Sequence, residues 1–167
     1  MKKTAILLFL FSISLQLQAK EFNDSIPGHL KNLPFPDFKL LMIDSATHFY
    51  TSNLSKNKNT LLISFSPDCD HCKHLTEEII SNIIQFKGTQ IVMFTTFPFE
   101  KMKQFYTEMN IAKYKNIVMG RDVLFFFPRY YHNKSLPGVA VYNQKRKFIE
   151  FFDGSIKIEE LIHLIKK

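Results

Sequence analysis

Cys69 and Cys72 are the two cysteines of this 167-residue chain, and they stand three apart in Cys69-Asp70-His71-Cys72. That spacing suits two kinds of chemistry. Two thiols within one helical turn can pass between dithiol and disulfide, one acting as nucleophile and the other resolving. Soft thiolates beside imidazoles can instead hold copper or zinc, and His71 and His74 supply imidazoles. Against the metal reading, His74 falls about half a helical turn beyond Cys72. Zinc would also want a distant second pair of ligands. Lys73 stands where a c-type haem attachment needs histidine. A disulfide that merely stiffens this turn would close a very small loop and remove little chain entropy.

The flanking residues say how the pair is held. Thr60 to Phe65 is an apolar run closed by Ser66-Pro67-Asp68, which predicts a short buried strand and a tight turn. Beyond the cysteines, Leu75, Ile79, Ile83 and Phe86 recur at helical spacing and predict a helix from Cys69 to Phe86. Cys69 then opens that helix, where unpaired N–H groups and the positive end of the helix dipole favour a thiolate. Three neighbours tune this. Asp68 and Asp70 oppose negative charge on the sulfur, and His71, when protonated, favours it.

The N-terminus reads as an export signal. Lys2 and Lys3 precede the apolar run Ala5 to Leu15, and Gln16-Leu17-Gln18-Ala19 follows, with a cleavage expected after Ala19. The run is short for a membrane span, which takes about 20 residues; an uncleaved anchor is the alternative. Residues 20–167 then form one domain, enough for one core and too few for two. The expected location is the bacterial periplasm or the extracytoplasmic face of a membrane. An oxidising compartment favours a catalytic pair over a structural one. The formal charge of +7 falls to +5 without Lys2 and Lys3, and the remaining lysines are interleaved with acids. That is a solvated surface, and it argues against a nucleic-acid partner.

The rest of the chain alternates. Strands are expected at Phe38 to Ile43, Gln90 to Thr95 and Asn116 to Met119, with a hairpin of Gly138 to Tyr142 and Arg146 to Phe152. Helices are expected at Glu100 to Asn110 and Ile156 to Lys167. The aromatic segment Arg121 to Tyr131 fits a helix or a buried crossover, and reads as core. The order predicts an α/β sandwich with a mixed sheet.

Three landmarks resemble thioredoxin-fold proteins: the strand, Ser66-to-Cys72 turn and helix; the loop Ser135-Leu136-Pro137-Gly138 before a strand; and Asp153-Gly154 with the last helix. Export and the long insert between Cys72 and Pro137 resemble the TlpA/ResA-like branch of exported thiol–disulfide oxidoreductases. The resemblance implies a three-layer α/β sandwich with a central mixed sheet and no metal or other cofactor. It implies Cys69 as nucleophile, Cys72 as resolving thiol, and Pro137 in the cis form facing them. The Leu136 backbone would pair with a bound substrate strand. Partners would be protein thiols and disulfides, with a membrane protein as electron donor. The sequence departs from the family in three ways. Ile63 stands where many thioredoxins bury an acid, Asp68 replaces an aromatic residue, and there is no tryptophan. Glu77 or Glu78 could relay protons in place of that acid, or simply line a solvated helix face. His71 resembles oxidising members, whereas Asp68 and Asp70 argue for the reducing side, which is the direction expected here. A related antioxidant peroxidase would need threonine where Ser66 stands.

Overall fold

The computed structural model describes residues 28–30 and 33–166. The expected export signal, residues 1–19, lies outside them. The strands among the described residues are β1 (Lys39–Met42), β2 (His48–Tyr50), β3 (Asn59–Ser64), β4 (Thr89–Thr95), β5 (Ile117–Arg121), β6 (Gly138–Tyr142) and β7 (Phe148–Asp153). The α-helices among the described residues are α1 (Asp70–Ser81), α2 (Phe99–Glu108), α3 (Phe126–Tyr131) and α4 (Ile158–Lys166).

The strands form one sheet in the order β2-β1-β5-β4-β3-β6-β7. β3, β4 and β5 are parallel, joined by crossovers through α1 and α2. β6 runs antiparallel to β3, β7 to β6, and β1 to both β5 and β2. The expected α/β sandwich with a mixed sheet is what the chain forms. Because the three central strands are parallel, their carboxyl ends lie at one margin of the sheet. The turn carrying Cys69 leaves β3 there, and the loops after β4 and β5 leave beside it.

Alternation along the strands divides the core in two. Leu61 and Ile63 of β3, with Ile91 and Met93 of β4, face the layer made by α1, α2 and α4. Leu62, Val92, Phe94 and Tyr142 face the other way, onto α3 and the segment before β1. Helix α1 is fixed to the first layer by Leu75 and Ile79, both buried. Each such side chain contributes about 1.5–3 kcal/mol of burial.

Three expectations needed adjustment. The helix after the cysteines stops at Ser81 instead of Phe86, because Asn82 leaves helical geometry and its side-chain Nδ2 donates to the Glu78 carbonyl at 2.9 Å. A 3-10 turn, Ile83–Phe86, then brings Phe86 into the core. The second hairpin strand begins at Phe148 instead of Arg146, because Asn143 Oδ1 accepts from Lys145 N and Lys147 N and lengthens the turn. In the aromatic segment only residues 126–131 are helical. Buried Asp122 starts that helix by accepting from Phe127 N at 3.0 Å.

Candidate active site

Cys69 is the N-cap of α1, half-buried, with extended backbone. Its sulfur accepts the Cys72 N–H at 3.3 Å, and its carbonyl accepts the N–H of Lys73 at 3.0 Å. The sulfur therefore meets the positive end of a twelve-residue helix, an arrangement that can carry negative charge. The turn is set from below. Ser66 is buried, its carbonyl accepts Cys69 N at 3.2 Å, and its hydroxyl accepts Asp68 N at 3.3 Å.

Cys72 lies one turn deeper, 1% exposed, among the side chains of the helical layer. Both cysteines are free thiols. Burial, and then the hydrogen bond shared with Cys69, push the Cys72 thiol well above its ordinary value. The two sulfurs are therefore unequal: one reaches solvent at a helix start, and the other stays protonated beneath it.

The proline loop reaches the same place from the opposite strand. Ser64 of β3 pairs with Gly138 of β6, so the residue before β6 lies beside the chain leaving β3. The Leu136–Pro137 bond is cis. Cys69 Sγ lies 3.9 Å from the Leu136 carbonyl oxygen. Leu136 and Pro137, more than sixty residues beyond the cysteines in sequence, thus lie beside Cys69.

The tuning candidates are dispersed. Asp68, Asp70 and His71 are all exposed on the turn and first helical residues. Asp68 is paired with the Lys101 ammonium of α2. Spacing along the chain does not mark that partner, since it depends on α2 starting beside the β3 turn. Pairing reduces the net negative field that Asp68 alone would place beside Cys69. Glu77 is exposed, and Glu78 lies 3.6 Å from His74 on the outer face of α1. Both acids belong to a solvated helix face. Ile63 is buried in the layer under α1. Among the described residues no three His, Cys, Asp or Glu side chains converge as a metal site.

No protein-family model and no curated protein matches the chain. Solved structures do. A secreted disulfide oxidoreductase of Mycobacterium tuberculosis homologous to E. coli DsbE superposes with a TM-score of 0.64 at 16% identity, covering 77% of this chain and 94% of that one. The exposed lipoprotein thioredoxin Etrx1 of Streptococcus pneumoniae gives 0.59 at 17%, covering 78% and 98%. DsbF of M. tuberculosis, in mixed oxidised and reduced forms, gives 0.65 at 15%, covering 77% and 92%. This is a thioredoxin fold. In a thioredoxin fold the layers seen here fall into place, with α1, α2 and α4 on one side of the sheet and α3 on the other. At these identities the likeness carries the architecture, and the chemistry must be argued from the site.

Proposed function

We propose that the chain is an exported thiol–disulfide oxidoreductase that reduces disulfides in other proteins. The observation carrying this reading is the inequality of the two thiols, with Cys69 open at the start of α1 and Cys72 buried beneath it. Cys69, as thiolate, attacks one sulfur of a partner disulfide. A mixed disulfide forms and one partner sulfur leaves as thiolate. Cys72 then gives up its proton and attacks Cys69 Sγ, releasing the second partner thiolate and leaving a Cys69–Cys72 disulfide. Two electrons pass to the partner, and the departing thiolates take up the protons. The raised Cys72 thiol keeps the deeper sulfur out of the first step. Pro137 and the Leu136 backbone would seat the partner segment. Asp68, Asp70 and His71 would tune the couple, with Lys101 screening Asp68.

Residues 1–19 would be the cleaved signal and residues 20–167 the working domain, in the periplasm or on the extracytoplasmic face of a membrane. A membrane protein dithiol would restore the reduced pair. The secreted and exposed proteins with this fold support that placement.

The test is equilibration with a glutathione or dithiothreitol redox buffer. A reversible two-electron couple is expected nearer the roughly −270 mV of thioredoxin than the roughly −120 mV of DsbA. A Cys72→Ser variant should accumulate mixed disulfides at Cys69. Absence of any exchangeable couple overturns the reading, and a potential near that of DsbA reverses its direction.

A further inference from the structure

The β6–β7 ladder ends where Gly138 pairs with Asp153. Upstream of Gly138 the chain turns through residues 133–137 to reach Cys69, and among the described residues no strand pairs with it. The Asp153 carboxylate takes over there. Its Oδ1 accepts Ser135 N at 2.7 Å, Lys134 N at 2.9 Å and Asn133 Nδ2 at 2.7 Å. Asn133 Nδ2 also donates to the Ser135 carbonyl at 2.7 Å, so amide and carboxylate form one clasp. The clasp is tight. A Cβ on Gly138 would lie 2.6 Å from Asn133 Oδ1 and would have to push the Asn133 amide out of the clasp. The next residue after Asp153 completes it: Gly154 N donates to the Pro137 carbonyl at 3.0 Å, with φ of +122°, a conformation side chains disfavour.

The clasp engages the N–H groups of Lys134 and Ser135, the Ser135 carbonyl and the Asn133 amide, and stops short of Leu136. Among the described residues the Leu136 N–H makes no hydrogen bond, and its carbonyl meets only Cys69 Sγ. Beside it lies a cleft of about 180 Å³ lined by Ser64, Thr96, Pro128, Asn133 and Ser135. A free backbone edge, held rigid and bordered by a cleft, is what an extended polypeptide needs in order to pair. A small disulfide needs only the exposed sulfur.

We propose that Asp153, acting with Asn133, is a positioning residue for the Leu136 edge, and that it sets a preference for extended polypeptide disulfides over small ones. This rests on the redox reading of the site. Three N–H donors converge on one carboxylate, where charge-assisted bonds are strongest. Without it, residues 133–136 lose their shared anchor, and a partner must order the edge as it binds.

The test uses the full mature chain, insulin as the polypeptide disulfide and hydroxyethyl disulfide as the small one. Asp153→Ala is expected to lower kcat/KM for insulin about tenfold, mainly through KM, as displacement of a positioned edge does. Turnover of hydroxyethyl disulfide and the Cys69–Cys72 potential should change less than about twofold, since neither needs the edge. Asp153→Asn, which keeps one acceptor oxygen, should fall between. Asn133→Ala gives a second reading should Asp153→Ala fail to fold, and it should show the same selective loss to a smaller degree. Equal loss with both substrates, or no loss with either, overturns the proposal while leaving the redox reading intact. A parent protein that turns over neither substrate removes the redox reading itself.

Discussion

The two faces of the sheet are built from different materials. Under α1, α2 and α4 the core is largely aliphatic and methionine, with helices of nine to twelve residues laid across it. On the opposite face the described residues supply the six residues of α3 and the segment before β1, and aromatic rings fill the space. Phe127 packs against Phe94 and Tyr131, Tyr131 stacks on Phe151, and Phe38 stacks on Phe126. A large ring buries as much surface as several aliphatic groups, so little regular structure suffices there. The division teaches that the cysteines are carried by the helical layer, whereas the aromatic layer covers the opposite face of the sheet.

Three experiments would break or sharpen that division. Phe127→Ala, which empties the centre of the aromatic layer, should cost about 3–5 kcal/mol in urea unfolding and leave the Cys69–Cys72 potential unchanged. A shifted potential would show that the two layers are not separable. Next in size is the buried hydrogen bond between the Tyr131 and Tyr142 hydroxyls. Burial holds both phenols above their ordinary range. Tyr131→Phe leaves the Tyr142 hydroxyl without its partner and should cost about 1–3 kcal/mol. Adding Tyr142→Phe should recover much of that loss; two additive losses would mean the hydroxyls do not depend on each other.

The smallest effect belongs to the helical layer. The folded Cys72 thiol ionises at higher pH than the unfolded one, so the unfolded chain loses its proton first. The stability contributed is complete below about pH 8.5 and is lost as pH rises, by at most about 1.4 kcal/mol per pH unit. Reduced protein should show this decline from pH 8.5 upward, and oxidised protein, which has no thiol there, should lack that component. An identical profile in both forms would remove Cys72 as its source.

Much of the helical layer can be read in the chain. Strand, turn, Cys69 and α1 are contiguous, and the hairpin β6–β7 is local, so periodicity and turn residues suffice. The aromatic layer is harder. In residues 121–131 apolar side chains point every way, so no period marks where α3 begins, and its start depends on a side chain four residues outside it, Asp122. The site divides the same way. Cys69 and Cys72 announce themselves by spacing, and Leu136 and Pro137 by resemblance. Lys101 and Asp153 do not, because each meets its partners only through strand order, across 33 residues for Asp68 and 18 for Ser135.

The three parallel strands finish at a common margin, and both core layers lie below it. Residues 96–98 and 123–125, exposed or half-buried at that margin, can therefore change character with little penalty to the folded body, whereas Phe65, Ser66 and Asp122 are buried and fixed. A lineage bearing this scaffold is free to rewrite those residues while the turn that holds Cys69 stays untouched.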